Sequence, residues 1–191
     1  MKRLIKIVIV VIAVLALTVA VLQMTSSYKV TKTIHTDAPV VTREEIVINA
    51  PVEVVWAVFA DVDSWPQWQK EIPSSKLSGP FKEGSSFDWK THGLTITSTF
   101  HTIDTNKTIG WSGPSFGAFA IHNWHFIRQG NRTVVKVEES MEGWLVALMQ
   151  NKFQSVNKAS LLYWLDTLKA TSEKRNKAVA SLVESIVEGL P

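Results

Sequence analysis

The stretch His122–Glu139, HNWHFIRQGNRTVVKVEE, decides the fold. Apolar and polar residues alternate on either side of Gly130-Asn131, the pattern of two half-buried strands joined by a tight turn. With Gly130-Asn131 as a two-residue loop, Phe126 faces Val135, Trp124 faces Val137 and His122 faces Glu139. The stretch Phe87–Phe100, FDWKTHGLTITSTF, repeats the arrangement around His92-Gly93. There Thr91 faces Leu94, Trp89 faces Ile96 and Phe87 faces Ser98. Side chains alternate across a sheet, so each facing pair shares a face. One face then collects Phe87, Trp89, Ile96, Ser98, Phe100, Trp111, Ala118, Ala120, His122, Trp124, Phe126, Val135, Val137 and Glu139. The other collects Asp88, Lys90, Thr95, Thr97, Thr99, His101, Asn123, His125, Lys136 and Glu138. The first face is aromatic and the second is wet. Two separate turns give one partition, which predicts an antiparallel meander.

Further turn signals stand at Gly79-Pro80, Asn106-Lys107 and Gly113-Pro114, so strand and turn alternate from Ile72 to Glu142. Upstream, Glu44 to Ala50 alternates as a strand. Pro51 opens a helix through Ala60, because proline is well tolerated in a first helical turn. Asp61 to Pro66 breaks that helix, and Trp65 to Lys70 fits a short second one. Downstream, the pattern is helical from Leu145. A sheet with one greasy face needs a cover. The C-terminal helix supplies it with Leu148, Met149, Phe153, Val156, Leu161, Leu165 and Leu168. The polar run Thr171 to Lys177 is the expected site of a break. Beyond it, Val179, Leu182, Val183, Ile186, Val187 and Leu190 form an apolar stripe. That stripe is expected to dock on the domain or to mediate self-association.

The N-terminus reads MKRLIK followed by IVIVVIAVLALTVAVL, and from Ile7 to Leu22 the only polar side chain is Thr18. Leu4 to Met24 is long enough to cross a ~30 Å hydrocarbon core as a helix. A cleaved signal peptide is the rival, with an apolar core of ~7–15 residues and a small-x-small site. This run is longer, and Thr18-Val19-Ala20 is a poor site. Lys2, Arg3 and Lys6 are expected to hold the N-terminus in the cytoplasm and leave the body extracytoplasmic. If the segment is cleaved, the body is secreted or periplasmic. The expected organisation is residues 1–24 as transmembrane anchor or signal peptide, 25–43 as tether, 44–174 as the folded domain and 175–191 as an amphipathic helical extension.

Charge and composition exclude several functions. The chain has 191 residues and a net charge of +3. Removing Lys2, Arg3 and Lys6 from the 20 lysines and arginines leaves 17 basic against 17 acidic side chains. The body is neutral, so no basic face is left for nucleic acid. There is no cysteine, which excludes disulfides, thiol nucleophiles and thiolate metal sites. It also excludes a lipid-bearing cysteine anchor. The sequence holds no Gly-rich phosphate loop, GxSxG elbow or HExxH motif.

The order strand, two short helices, antiparallel meander, long C-terminal helix is the helix-grip arrangement. EIVINAPVEVVWAVFADVDSWPQWQKEI (Glu45–Ile72) resembles the opening of START-like, or SRPBCC, domains, in particular the polyketide cyclase/dehydrase group. FKEGSSFDWK (Phe81–Lys90), IGWSG (Ile109–Gly113), HNWHF (His122–Phe126) and VEESMEGW (Val137–Trp144) extend the resemblance over Glu44 to Lys174. It implies an α+β fold in which a curved antiparallel sheet wraps around the long C-terminal helix, with an apolar cavity between them. Here that domain is expected to follow an N-terminal transmembrane helix. Such domains include lipid carriers, hormone receptors and aromatase/cyclases, so the resemblance supports a cavity better than a reaction.

The expected ligand-binding residues are Phe87, Trp89, Ser98, Phe100, Trp111, His122, Trp124, Glu139, Met149 and Phe153. His122 and Glu139 are the candidate catalytic pair, because a carboxylate beside an imidazole holds the ring in one tautomer. The alternative is that they satisfy each other in the core. His122-x-x-His125 is not a metal site, since strand positions three apart point to opposite faces, and no cofactor is expected. Trp65 and Trp68 serve as a gate or as a staple for the short helices. Asp61 and Asp63 sit where a helix ends and read as capping or solvated groups. Three functions stay open. One is membrane-tethered binding of a hydrophobic small molecule or lipid. The second is a cyclase/dehydratase-like enzyme. The third is an interaction protein assembling through its C-terminal helix.

Overall fold

The two hairpins close where the alternation places them. In the computed structural model, which describes residues 1–188, Thr91 pairs with Leu94 and Gln129 with Arg132. His92 and Gly93 both take positive φ, 49° and 79°, as a primed two-residue turn requires. The register then follows: Phe87 opposes Ser98, Trp89 opposes Ile96, Trp124 opposes Val137 and His122 opposes Glu139.

The strands are β1 (Val40–Ile48), β2 (Ser75–Ser78), β3 (Ser86–Thr91), β4 (Leu94–Asp104), β5 (Thr108–Ser115), β6 (Ala118–Gln129) and β7 (Arg132–Glu142). They form one curved antiparallel sheet in the order β1-β7-β6-β5-β4-β3-β2. Helix α1 (Lys2–Thr25) precedes it. Between β1 and β2 lie α2 (Val52–Phe59), a 3-10 turn (Val62–Ser64) and α3 (Trp65–Trp68). After β7 come α4 (Trp144–Leu148) and the long α5 (Gln150–Glu188).

Aromatic packing closes one end of the concave face. Phe59 on α2 lies within about one ring's reach of Trp65, Trp111, Trp124, Phe126 and Trp164. Trp65 is buried, meets Phe87 and Trp164 edge-on, and donates its indole N–H to the Phe59 carbonyl at 2.8 Å. Trp68 stands edge-on to Trp164. The two tryptophans staple the short helices to α5 and the sheet. Asp63 pairs with Lys76 and accepts the Leu77 backbone N–H, fixing β2.

Five expectations are corrected. The first strand starts at Val40 rather than Glu44. The residues before it are no free tether: Tyr28 stacks on Phe119, Ile34 is buried, and Asn123 donates to the Lys32 carbonyl. They strap the outer face. The C-terminal helix breaks at Met149, between α4 and α5, and then runs unbroken through Thr171–Lys177. Glu, Lys and Arg there are good helix formers, so a polar run by itself is no stop. Leu148 is exposed rather than covering the sheet. The stripe Val179, Leu182, Val183, Ile186 and Val187 is exposed and does not dock; Leu190 lies outside the described residues.

Candidate functional site

Past the aromatic plug, the sheet and α5 diverge around a cavity of ≈ 580 Å³. Strands β3–β7 form one wall, and α4 with the first half of α5 forms the other. Trp89, Ser98, Trp111, His122, Trp124, Glu139, Met149 and Phe153 all line it. Phe87 and Phe100 do not. They share the correct face, but stack on each other at 4.7 Å within the buried plug. Alternation assigns a face; it does not say how far along that face the helices reach.

His122 on β6, Glu139 on β7, Ser98 on β4 and Asn157 on α5 are polar groups of the cavity wall. His122 Nδ1 lies 3.0 Å from Glu139 Oε2, and both side chains are largely buried. The Trp111 ring stacks on the imidazole at 5.0 Å, and Trp89 stands edge-on to it at 6.2 Å. The carboxylate favours a proton on Nδ1, which leaves Nε2 as an acceptor. Trp89 donates its indole N–H to Ser98 Oγ at 3.0 Å. The indole N–H groups of Trp111 and Trp124 have no partner.

Asn157 and Ser160, on the α5 wall, were missed from sequence. Asn157 is buried, and neither amide atom has a partner. A polar residue on the apolar face of a helix is the available signal, because Asn157 follows Phe153 by four positions. Ser160 donates to Glu71 at 2.8 Å. His125 lies on the outer face, away from His122, with Glu138 4.0 Å distant. Among the described residues no group of three or more His, Asp or Glu side chains is placed to hold a metal ion.

One mouth of the cavity is made by the β5–β6 hairpin and α4, where Phe116 and Met149 are both exposed and line it. Gly117 takes φ 65°, and a Cβ there would come within 2.7 Å of Leu145 and 2.8 Å of Trp144. Glycine lets α4 close on the hairpin, where the Leu145 N–H donates to the Gly117 carbonyl at 3.0 Å. The last turn of α1 touches the same place. Gln23 Oε1 accepts the Gly117 N–H at 3.0 Å and the Trp144 indole N–H at 3.4 Å.

Residues 27–173 match the family model described as polyketide cyclase/dehydrase and lipid transport. The chain belongs to this family. The polyketide cyclase/dehydrase and lipid-transport fold is also that of solved structures at low identity. An aromatase/cyclase from Streptomyces sp. R1128 has 14% identity and TM-score 0.63, covering 71% of this chain and 94% of its own. A START superfamily protein from Mycobacterium smegmatis has 16% identity and TM-score 0.56, with coverages of 73% and 98%. A hypothetical protein from Helicobacter pylori has 15% identity and TM-score 0.66, with coverages of 76% and 99%. At such identities these neighbours establish the START-like fold. No curated protein matches the chain significantly in sequence. The cavity between sheet and C-terminal helix fits the hydrophobic-ligand binding that this family suggests.

Proposed function

We propose that the protein binds an apolar small molecule or lipid in the sheet–helix cavity while α1 holds it at a membrane. The cavity carries the reading: ≈ 580 Å³ is within the range of small-molecule sites, and its walls are aromatic and aliphatic. His122 Nε2 and the Asn157 amide add a polar end. The ligand is therefore a mostly apolar molecule with at least one hydrogen-bonding group. Helix α1 supports the membrane part, being 24 residues long with no buried residue. Lys2, Arg3 and Lys6 support an orientation with its start in the cytoplasm and the domain on the other side.

The test is solvent extraction and mass spectrometry of the full chain purified from membranes. One apolar species is expected in near-stoichiometric amount, and lost on filling the cavity with Ala120→Trp. A chain recovered with no retained molecule overturns the reading.

A second reading is favoured by one observation, the carboxylate-paired imidazole on the cavity wall. In a cyclase or dehydratase, Nε2 would take a proton from carbon beside a carbonyl and return it to the departing oxygen. His122→Gln separates the two readings. Loss of turnover with retained binding supports the enzyme, whereas loss of binding alone supports the carrier.

A further inference from the structure

The geometry points to the cavity mouth as a membrane-docking surface, seated on the bilayer at the C-terminal end of α1. This rests on the reading of α1 as a spanning helix. Its 24 residues extend about 36 Å at ~1.5 Å per residue, enough to cross a ~30 Å core. A spanning α1 brings Gln23, in its last turn, to the interface.

Two contacts then fix the domain's height. Gln23 bonds the tip of the β5–β6 hairpin and the Trp144 indole. Only Ser26 and Ser27 separate the end of α1 from Tyr28, which stacks flat on Phe119 at 5.1 Å. A residue spans at most ~3.6 Å, so the domain is held within about 10 Å of the helix end. It has no room to swing clear.

The surface at that height is apolar. Phe116 is 53% exposed and Leu148 75% exposed. Phe116 stands edge-on to Trp144 at 5.5 Å, and an indole with a polar N–H is suited to the headgroup level. Leu148 ends α4, where the break at Met149 turns it away from the sheet. A helix cover built only for packing would bury that leucine. Phe116 and Met149 also line the cavity, so the patch is the cavity's own rim. A molecule leaving the bilayer there enters the cavity without crossing water.

The cysteine-free chain allows a direct test. Full-length Phe116→Cys and Leu148→Cys, each labelled with a bimane fluorophore, are placed in phosphatidylcholine/phosphatidylglycerol vesicles. Some of the lipids carry a nitroxide quencher just below the headgroup. Val11→Cys, in mid-α1, and Asn131→Cys, at the far end of β6, are the references. Quenching at Phe116 and Leu148 several-fold above that at Asn131 is expected. Quenching at both no greater than at Asn131 overturns docking. In that case Val11 tells which inference failed: if it is quenched, the anchor stands and only docking falls; if not, both fall. Two exposed rim positions guard against one label disturbing the fold.

Discussion

At the residue scale, the outer face holds a histidine that the alternation calls wet and the fold half-buries. His101 lies at the β4 bulge between Phe100 and Thr102, with its Nε2 buried and unpartnered. Burial pushes its pKa down to about 4; nearness to the Trp111 backbone opposes this, and nearness to His122 adds to the fall. The sign follows from linkage. Above pH 6.5 the ring is neutral in both states and its contribution to stability is complete. As pH falls toward 4, the unfolded chain takes the proton first and that stability is lost. His101→Gln should therefore flatten the fall in melting temperature between pH 6.5 and 4, which differential scanning across that window measures. An unchanged slope would assign the loss to other groups. Asn157 makes the opposite case, a polar side chain that the empty protein does not need. An unmet buried amide costs about 1–3 kcal/mol. Asn157→Leu should raise the melting temperature of the ligand-free protein and shrink the further rise on adding the extracted ligand. If both temperatures fall together, Asn157 is structural.

At the element scale, the docked part of α5 ends close to Asn176. Glu173 Oε1 accepts the backbone N–H and side-chain amide of Asn49, and Asn176 donates to the Asn49 carbonyl at 3.4 Å. Glu173→Ala should cost about 1 kcal/mol, the usual net worth of such bonds, read from urea unfolding. A chain ending at Asn176 should keep the full-length midpoint, since Lys177 to Glu188 are exposed. If the apolar stripe there mediates self-association, this truncation also lowers the sedimentation coefficient to that of a monomer. The contrast shows what the sequence carries. Strand pairing was legible because period-two alternation and two-residue turns fix register with no knowledge of the rest. Where α5 stops touching the domain was not, because Val179 and Leu182 have the same apolar pattern as Leu161 and Leu165. Periodicity names a face, but only tertiary geometry says what lies opposite. The strap was illegible for the converse reason. Tyr28 and Ile34 are isolated apolar residues in a polar run, with no period to reveal that each finds a slot on β6. The cavity was half legible: His122, Glu139 and the tryptophans follow from register, while the division between plug and open half follows from where α2 and α3 end.

At the scale of the whole molecule, the proposed coupling of membrane, strap and cavity requires that the connection from α1 be short. Ser26 and Ser27 are the only residues between the helix and the Tyr28–Phe119 stack. Ten Gly/Ser residues inserted between them would give a mean reach of roughly 17 Å, taking ~5–6 Å × √n for a flexible chain. The stack, sheet and cavity would be untouched, so the melting temperature should not move. The hold of Gln23 on Gly117 and Trp144 would become one weak contact across a floppy link, and the rim would spend much of its time in water. Transfer of a pyrene-labelled fatty acid from donor vesicles into the tethered domain should then slow several-fold, while affinity at equilibrium stays the same. An unchanged transfer rate would mean that the ligand reaches the cavity through solution. The short strap would then have no part in ligand transfer.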